Sequence, residues 1–188
     1  MLLDLLKKSR SIRSFQPADA LSPSLLRELC DAARYAPAAM NLQPLKYRLV
    51  WEDQERARLL PLTRWAANLG ISLPPKGHEP SGYIVICHDT SIAPEKPVFR
   101  IDAGIAAQTI MLTAAERGLG GCIIGSANAE EVAACLSLPA GLVPMLILAL
   151  GVPDETVVLT EAVSGVGYYR DESNVHHVPK RPLDEIVL

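Results

Sequence analysis

The fold of this chain depends on residues 101–118, which read IDAGIAAQTIMLTAAERG. Apolar or small residues occupy nearly every position, so the stretch predicts a helix from Ile101 to Arg117 that ends at Gly118. A helix that is apolar on all sides has no solvent face of its own. We therefore expect other elements, or a second copy of the chain, to surround it.

Short apolar strands are predicted on both sides of this helix. Residues 83–87, before it, are rich in β-branched side chains, as in a buried strand. After it we expect strands at residues 120–124 and 143–151, with a helix at residues 129–136 between them. The other predicted elements are helices at residues 2–8 and 55–65, a helix that begins at Ser22-Pro23 and ends before Pro37, and a strand at residues 47–52.

The tail, residues 153–188, contains glycines and prolines in a mostly irregular pattern. A segment of this length without its own core must lie on its own domain or on a partner. The residues thus predict an α+β fold with a long central helix and an extended C-terminal arm. We expect residues 1–188 to form a single domain.

Composition limits the class of protein. Hydrophobic residues make up 49% of the chain, which argues against disorder. Eighteen basic and twenty-one acidic residues give a net charge of -3, which argues against a nucleic-acid-binding protein. The four cysteines form no C-x-x-C pair, and we expect buried thiols in a reducing compartment. The amino terminus shows no signal-peptide pattern, so a cytoplasmic location is our expectation.

Residues 9–15, SRSIRSF, combine two arginines with hydroxyl side chains. Arg10 and Arg13 could bind a phosphate through their guanidinium groups, with Ser11 as a further donor. A solvated, charged turn is an equally good interpretation of this segment alone. Lys180 and Arg181, in the rigid run VPKRPL, add cationic groups and favour the phosphate interpretation.

A second segment, APAAMNLQP at residues 36–44, joins small residues to two amides, and a flat polar ring could lie against it. Together the two segments suggest a cofactor that carries both a phosphate and a planar heterocycle. Gly125 and Ser126 end a predicted strand, where backbone N–H groups can face a ligand. The glycines at residues 118–121 fit neither a P-loop nor a G-x-G-x-x-G fingerprint.

Other catalytic arrangements are not favoured by the sequence. The four histidines lack carboxylate or cysteine partners at metal-ligand spacing, so we expect no metal site. There is no G-x-S-x-G elbow of a serine hydrolase. For Asp102, on the long helix, we expect a structural role, either capping a backbone group or pairing with an arginine.

Five motifs occur in the order typical of the nitroreductase family of FMN-dependent oxidoreductases, and the chain resembles that family over nearly its whole length. They are R-S-I-R-x-F (residues 10–15), A-P-x-x-x-N-x-Q-P (36–44), D-x-G-x-x-x-Q (102–108), G-L-G-x-C-x-I-G (118–125) and P-K-R-P-L (179–183). The resemblance implies a nitroreductase-like α+β fold with a central, mostly antiparallel sheet flanked by helices. It also implies an intertwined homodimer with FMN at the interface.

The resemblance further implies a set of cofactor-binding positions. Arg10, Arg181 and Lys180 are expected near the FMN phosphate and Arg13 near N1 and O2 of the ring, although the division between Arg10 and Arg13 stays open. Residues 37–43 would come from the second subunit. The full set is Arg10, Ser11, Arg13, Pro37, Ala38, Ala39, Asn41, Gln43, Gly125, Ser126, Lys180 and Arg181.

This chain departs from the family pattern at a few positions. Many members carry arginine at the position of Ser9 and hydroxyl residues at those of Ala38 and Ala39. Backbone groups are therefore the expected contacts at residues 38 and 39. Gly125 and Ser126 would offer backbone groups near N5 of the flavin. No catalytic side chain is expected, because the reaction takes place on the cofactor.

The family implies a ping-pong cycle in which NADPH or NADH is the electron donor and a nitroaromatic or quinone-type compound is the acceptor. The sequence leaves open the choice of nucleotide, the role of residues 74–81, and other acceptors such as enones, azo compounds or halogenated rings. A flavin-binding or storage protein with little turnover is the alternative from another class.

Overall fold

The computed structural model describes residues 1–18, 20–66 and 69–188, and its core is a four-stranded antiparallel sheet. The strands are β1 (Leu45–Val50), β2 (Gly82–Asp89), β3 (Gly120–Ile124) and β4 (Leu142–Gly151). Their order across the sheet is β1-β2-β4-β3. Nearly all of β2 and the second half of β4 are buried, as expected for central strands covered on both faces. The predicted α+β class and antiparallel sheet are confirmed.

Five helices are described: α1 (Leu2–Lys8), α2 (Pro23–Ala33), α3 (Asp53–Leu59), α4 (Val98–Glu116) and α5 (Ala129–Cys135). At the start of α2 the hydroxyl of Ser22 accepts a hydrogen bond from the Leu25 amide at 3.2 Å, as an N-cap residue should. The helix predicted over residues 55–65 is present, but its bounds were wrong, since α3 covers Asp53–Leu59. The helix ends at Leu59 and gives way to a 3-10 turn at Leu60–Leu62, because Pro61 has no N–H group to continue it.

The long helix α4 is buried on only one side. Residues such as Phe99, Ala106 and Ile110 are buried, whereas Ile101 is 62% and Ile105 is 36% exposed. By length and composition α4 could cross a bilayer, but half of its apolar window is buried inside the protein, as in the core helix of a globular domain. We expected other elements or a second copy of the chain to surround α4. Elements of the same chain cover one face of the helix, and the face with Ile101 and Ile105 stays exposed.

The tail, residues 153–188, is mostly irregular, as predicted, but it also contains a short sheet that was not predicted. Residues after β4 form a second sheet from β5 (Val157–Glu161), β6 (Tyr169–Arg170) and β7 (His176–Lys180), in the order β5-β7-β6. The run Val-Val-Leu-Thr in β5 has the β-branched residues of a strand. β6 pairs with His176 and His177 of β7. Pro179 of β7 lies beyond these two residues, so its missing N–H group removes no hydrogen bond to β6.

Residues 9–15 lie along the outer edge of β3. The Ile12 amide donates to the Gly121 carbonyl at 2.8 Å, and Ile12 and Phe15 are buried. Two glycines allow this close approach. A Cβ atom on Gly120 would lie 2.6 Å from Cγ1 of Ile12, and one on Gly151 would lie 2.8 Å from Cδ1 of Phe15. The arginine-containing segment is thus held flat against the sheet.

Candidate cofactor-binding site

Arg10 lies between the end of α1 and the start of β3. Its Nη2 donates to the Leu6 carbonyl at 2.7 Å, and its Nε is buried without a hydrogen-bond partner among the described residues. Burial lowers the pKa of Arg10. The side chain lines a cavity of about 270 Å³ together with Lys7, Lys8 and Ser9. Glu155 also lines this cavity, but its carboxylate is paired with Arg170. A partly desolvated cation beside two lysines is then still a suitable place for an anion.

Arg13 points toward the tail. Its guanidinium lies 5.3 Å from the ring centroid of Tyr168, and its Nη1 is 3.4 Å from Nε2 of His176 and 3.4 Å from the Ser11 carbonyl. Its Nε is also buried without a partner among the described residues. The backbone N–H of Arg13 donates to the carboxylate of Glu155.

Glu155 and Arg170 form an ion pair beneath Arg13, and sequence reasoning missed both residues. Their side chains are 1% and 11% exposed. Burial lowers the pKa of the neighbouring His176, and the positive charge of Arg13 adds to this effect. Arg170 pairs with the Glu155 carboxylate, whereas Arg13 contacts that carboxylate only through its backbone N–H. The Arg13 guanidinium therefore has no carboxylate partner among the described residues, and the cluster carries one positive charge in excess. No motif signals this cluster, because its members are brought together only by the tail sheet.

Residues 37–43 form a tight loop between α2 and β1. Three non-glycine residues in it, Met40, Asn41 and Gln43, have φ values of 53°, 53° and 50°. The Gln43 amide donates to the carbonyl and the side-chain oxygen of Asn41, both at 3.2 Å. Pro37, Ala38 and Gln43 line a cavity of about 640 Å³ between α2, α4 and β1.

Asp102 extends from α4 to this loop. Both of its carboxylate oxygens lie 3.1 Å from the backbone nitrogen of Ala39, and Asp102 is 5% exposed. Of the two roles predicted for it, the structure shows capping of a backbone group. No arginine pairs with it in the part of the chain that the structure describes.

Gly125 and Ser126 follow β3 and are exposed. Gly125 lines a narrow space beside Pro144 and Leu146, and the Ser126 hydroxyl donates to the Arg64 carbonyl at 3.3 Å. Lys180 ends β7, and Nη1 of the exposed Arg181 lies 3.2 Å from the Glu185 carboxylate. These four residues lie at two other places on the surface.

The predicted site residues therefore fall into separate groups within one chain. Arg10 borders one cavity, and Pro37, Ala38 and Gln43 border another. The other predicted residues border neither of these two; they are Ser11, Arg13, Ala39, Asn41, Gly125, Ser126, Lys180 and Arg181. Within one chain, the four predicted segments do not form a single pocket. These segments are residues 10–13, 37–43, 125–126 and 180–181. Over residues 1–18, 20–66 and 69–188 there is no group of three or more histidine, cysteine or acidic residues that could hold a metal ion.

The sequence matches the model of the Nitroreductase family over residues 6–70 and 83–152. This match covers well over half of the chain, so the protein belongs to that family, and the resemblance noted from the motifs is confirmed. Residues 153–188, including Glu155, Arg170 and His176, lie beyond the matched region.

Individual relatives agree with this assignment. YodC of Bacillus subtilis (strain 168), provisionally named an NAD(P)H nitroreductase, is 27% identical over 177 residues, covering 79% of this chain and 88% of its own. An FMN-dependent nitroreductase structure from Clostridium difficile R20291 has a TM-score of 0.66 at 26% identity, over 81% of this chain and 88% of that one. A nitroreductase family protein from Clostridium difficile 630 superposes with a TM-score of 0.69 at 25% identity, over 99% and 96% of the two chains.

Proposed function

We propose that this protein is an FMN-dependent oxidoreductase that uses NAD(P)H, by a ping-pong mechanism, to reduce nitroaromatic or quinone-type acceptors. Membership of the Nitroreductase family, and relatives named for FMN and NAD(P)H, support the flavin oxidoreductase class and its cofactors. The observation that carries the proposal is the pair of buried, unpartnered Nε atoms of Arg10 and Arg13, in the motif held flat against β3.

The residues present fit FMN. Arg10, supported by Lys7 and Lys8 around its cavity, would hold the phosphate as a desolvated cation. Arg13 would donate to the N1–O2 edge of the ring, and the excess positive charge of its cluster would favour an electron-rich ring. When bound, FMN supplies the hydride and electron chemistry. The chain supplies binding, orientation and electrostatic stabilisation, and no acid or base of its own is needed.

A second copy of the chain completes the proposed site. Arg10 borders one cavity and Pro37, Ala38 and Gln43 border another, and Ile101 and Ile105 form an exposed apolar stripe on α4. A homodimer formed through this stripe would cover it and bring residues 37–43 of one subunit to the motif of the other. Light scattering coupled to gel filtration should then give twice the chain mass, and a monomeric mass at micromolar concentration would contradict this arrangement.

Residues 1–188 would form one FMN-binding domain, and we expect the protein to act in the cytoplasm. Other acceptors, namely enones, azo compounds or halogenated rings, need the same binding residues and differ only in the space above the ring. A flavin-binding or storage protein would also use the same residues. It differs in one measurable respect, because it would hold FMN but would not oxidise NAD(P)H.

The first test is an absorbance spectrum of the purified protein, before and after anaerobic addition of NADPH or NADH. We expect flavin bands that bleach on addition of at least one nucleotide. Bands that persist with both nucleotides would favour the storage alternative. A protein that stays colourless after incubation with excess FMN would overturn the proposal.

A second test addresses the phosphate assignment. Arg10→Ala should weaken FMN binding by about 2–5 kcal/mol, because a desolvated charge pair is lost. It should leave binding of riboflavin, which has no phosphate, close to that of the parent. Arg181→Ala should act in the same direction if the tail reaches the phosphate. Arg100→Ala, an exposed arginine on α4, is the matched control. Equal losses for FMN and riboflavin in Arg10→Ala would contradict the assignment.

A further inference from the structure

We propose that Asp102 is a positioning residue, which fixes the loop of residues 37–43 in the shape that contacts the flavin. This inference rests on the proposed function and deepens it. It names the group that sets the geometry of the second-subunit contacts, although that group lies on α4 and not in the loop itself.

The contact between Asp102 and the loop is specific. Both carboxylate oxygens of Asp102 lie 3.1 Å from the Ala39 nitrogen, so the N–H is shared between them. The carboxylate is almost fully buried. A buried charge needs a donor, and a hydrogen bond from an amide to a carboxylate is stronger than one between neutral groups. The hydrogen bond from Ala39 therefore stabilises the buried Asp102 carboxylate. The Ala39 N–H has no other acceptor among the described residues.

The loop needs such a restraint because its backbone is strained. Met40, Asn41 and Gln43 all have left-handed φ values. Asparagine tolerates this region, but methionine and glutamine adopt it rarely. The other described hydrogen bonds of the loop are internal, and they run from Asn41 to Ala38, from Leu42 to Ala39 and from Gln43 to Asn41. In the part of the chain that the structure describes, the bond to Asp102 is the one that ties residues 37–43 to another element.

Alanine stands at residues 38 and 39, so neither side chain can offer a hydroxyl to the ring. The hydrogen bond between Asp102 and the backbone of Ala39 is for this reason especially important in this chain. Contacts from these two residues must come from the backbone, whose direction is set by φ and ψ. Because Asp102 holds the Ala39 N–H, it decides where the neighbouring backbone groups point.

The inference is tested first without flavin. Asp102→Leu keeps the shape of the side chain but removes both acceptors, whereas Asp102→Asn keeps one. Hydrogen–deuterium exchange of the peptide 36–43 in the apo protein should speed up by at least about tenfold in Asp102→Leu, as for the loss of one hydrogen bond. It should rise clearly less in Asp102→Asn, which keeps one acceptor oxygen but makes a weaker, neutral hydrogen bond. Thr113→Ala, which removes a partly buried hydroxyl bond within the same helix, is the control.

The second readout is FMN affinity, measured by fluorescence titration. We expect the Kd for FMN to rise on the order of tenfold in Asp102→Leu and to recover in Asp102→Asn, which a generally destabilised helix would not show. If Asp102→Leu fails to fold, Ala39→Pro removes the same N–H from the other side. Proline fits there, because Ala38 is already extended and Ala39 opens a 3-10 turn.

The outcomes separate the inference from the proposed function. A parent protein that binds no FMN refutes the proposed function, and the exchange experiment then still tests the restraint by itself. A parent that binds FMN, with Asp102→Leu or Ala39→Pro unchanged in both loop exchange and Kd, overturns the inference. Equal losses in Asp102→Leu and Asp102→Asn would also overturn it, because the acceptor oxygen would not be the cause.

Discussion

Replacing Arg170 with methionine tests how strongly the tail is bound to the arginine motif. Methionine keeps an unbranched apolar side chain but removes the guanidinium that pairs with Glu155. The Glu155 side chain is 1% exposed, so its carboxylate would stay buried with the Arg13 N–H as its remaining described donor. Breaking a buried pair by removing one partner costs about 3–5 kcal/mol. That is a large share of the roughly 5–15 kcal/mol that stabilises a typical protein.

The assay is urea unfolding of the apo protein, followed by far-UV circular dichroism at one fixed protein concentration. The free energy of unfolding should fall by about 3–5 kcal/mol. In a separate thermal scan, a loss of this size should lower the thermal midpoint by about 6–20 °C for a chain of this length. Arg100→Met is the matched control. Its partner Glu95 is 3.5 Å away, both side chains are largely exposed, and such a pair contributes at most about 1 kcal/mol.

The reasoning would be refuted if Arg170→Met and Arg100→Met lost the same free energy of unfolding. A double variant gives a further check. Glu155→Gln in the Arg170→Met background should recover part of the loss, because an amide is less costly to bury without a counter-ion than a carboxylate is.

Two other changes test the packing and the charge around the same motif. Gly121→Ala places a Cβ atom 2.2 Å from the Ala149 carbonyl oxygen and should cost about 1–3 kcal/mol in urea unfolding. Gly167→Ala, with open space around it, should stay within about 0.5 kcal/mol of the parent. Because burial lowers the pKa of His176, the unfolded chain takes up the proton first as the pH falls below about 6.5. Stability should therefore decline in that range, and a decline of equal steepness in His176→Asn would count against this cause.

Most of the sheet and its central helix could be predicted from the sequence, because local patterns decide them. The β-branched run at 83–87 and the glycine at 118 mark element types and ends that depend on neighbouring residues alone. β3 was predicted with its observed bounds, and α4 within three residues at its start. α3 was overextended because the helical pattern of residues 55–65 was given more weight than the missing N–H of Pro61.

The tail and the partners of the arginines could not be predicted in this way. β5 and β7 pair in parallel across about fifteen intervening residues, and no local pattern reports such a pairing. Glu155 resembles any other acidic residue in the sequence, and only the fold reveals that it is buried against Arg13. The roles of Arg10 and Arg13 in FMN binding stay predictions. The structure adds that the Nε atoms of both guanidinium groups are buried without a hydrogen-bond partner among the described residues.

This desolvation links the stability of the chain to its proposed function. Two guanidinium groups held without full hydrogen bonding cost free energy, and burial of Ile12 against β3 and of Phe15 against the end of β4 offsets that cost. The fold holds these donors in place. An anionic ligand therefore binds without the entropy cost of ordering a solvated, mobile arginine side chain. Glu155 and Arg170 lie beyond the family match and hold this arrangement from the tail side. The same motif can therefore have a different affinity in relatives with other tails.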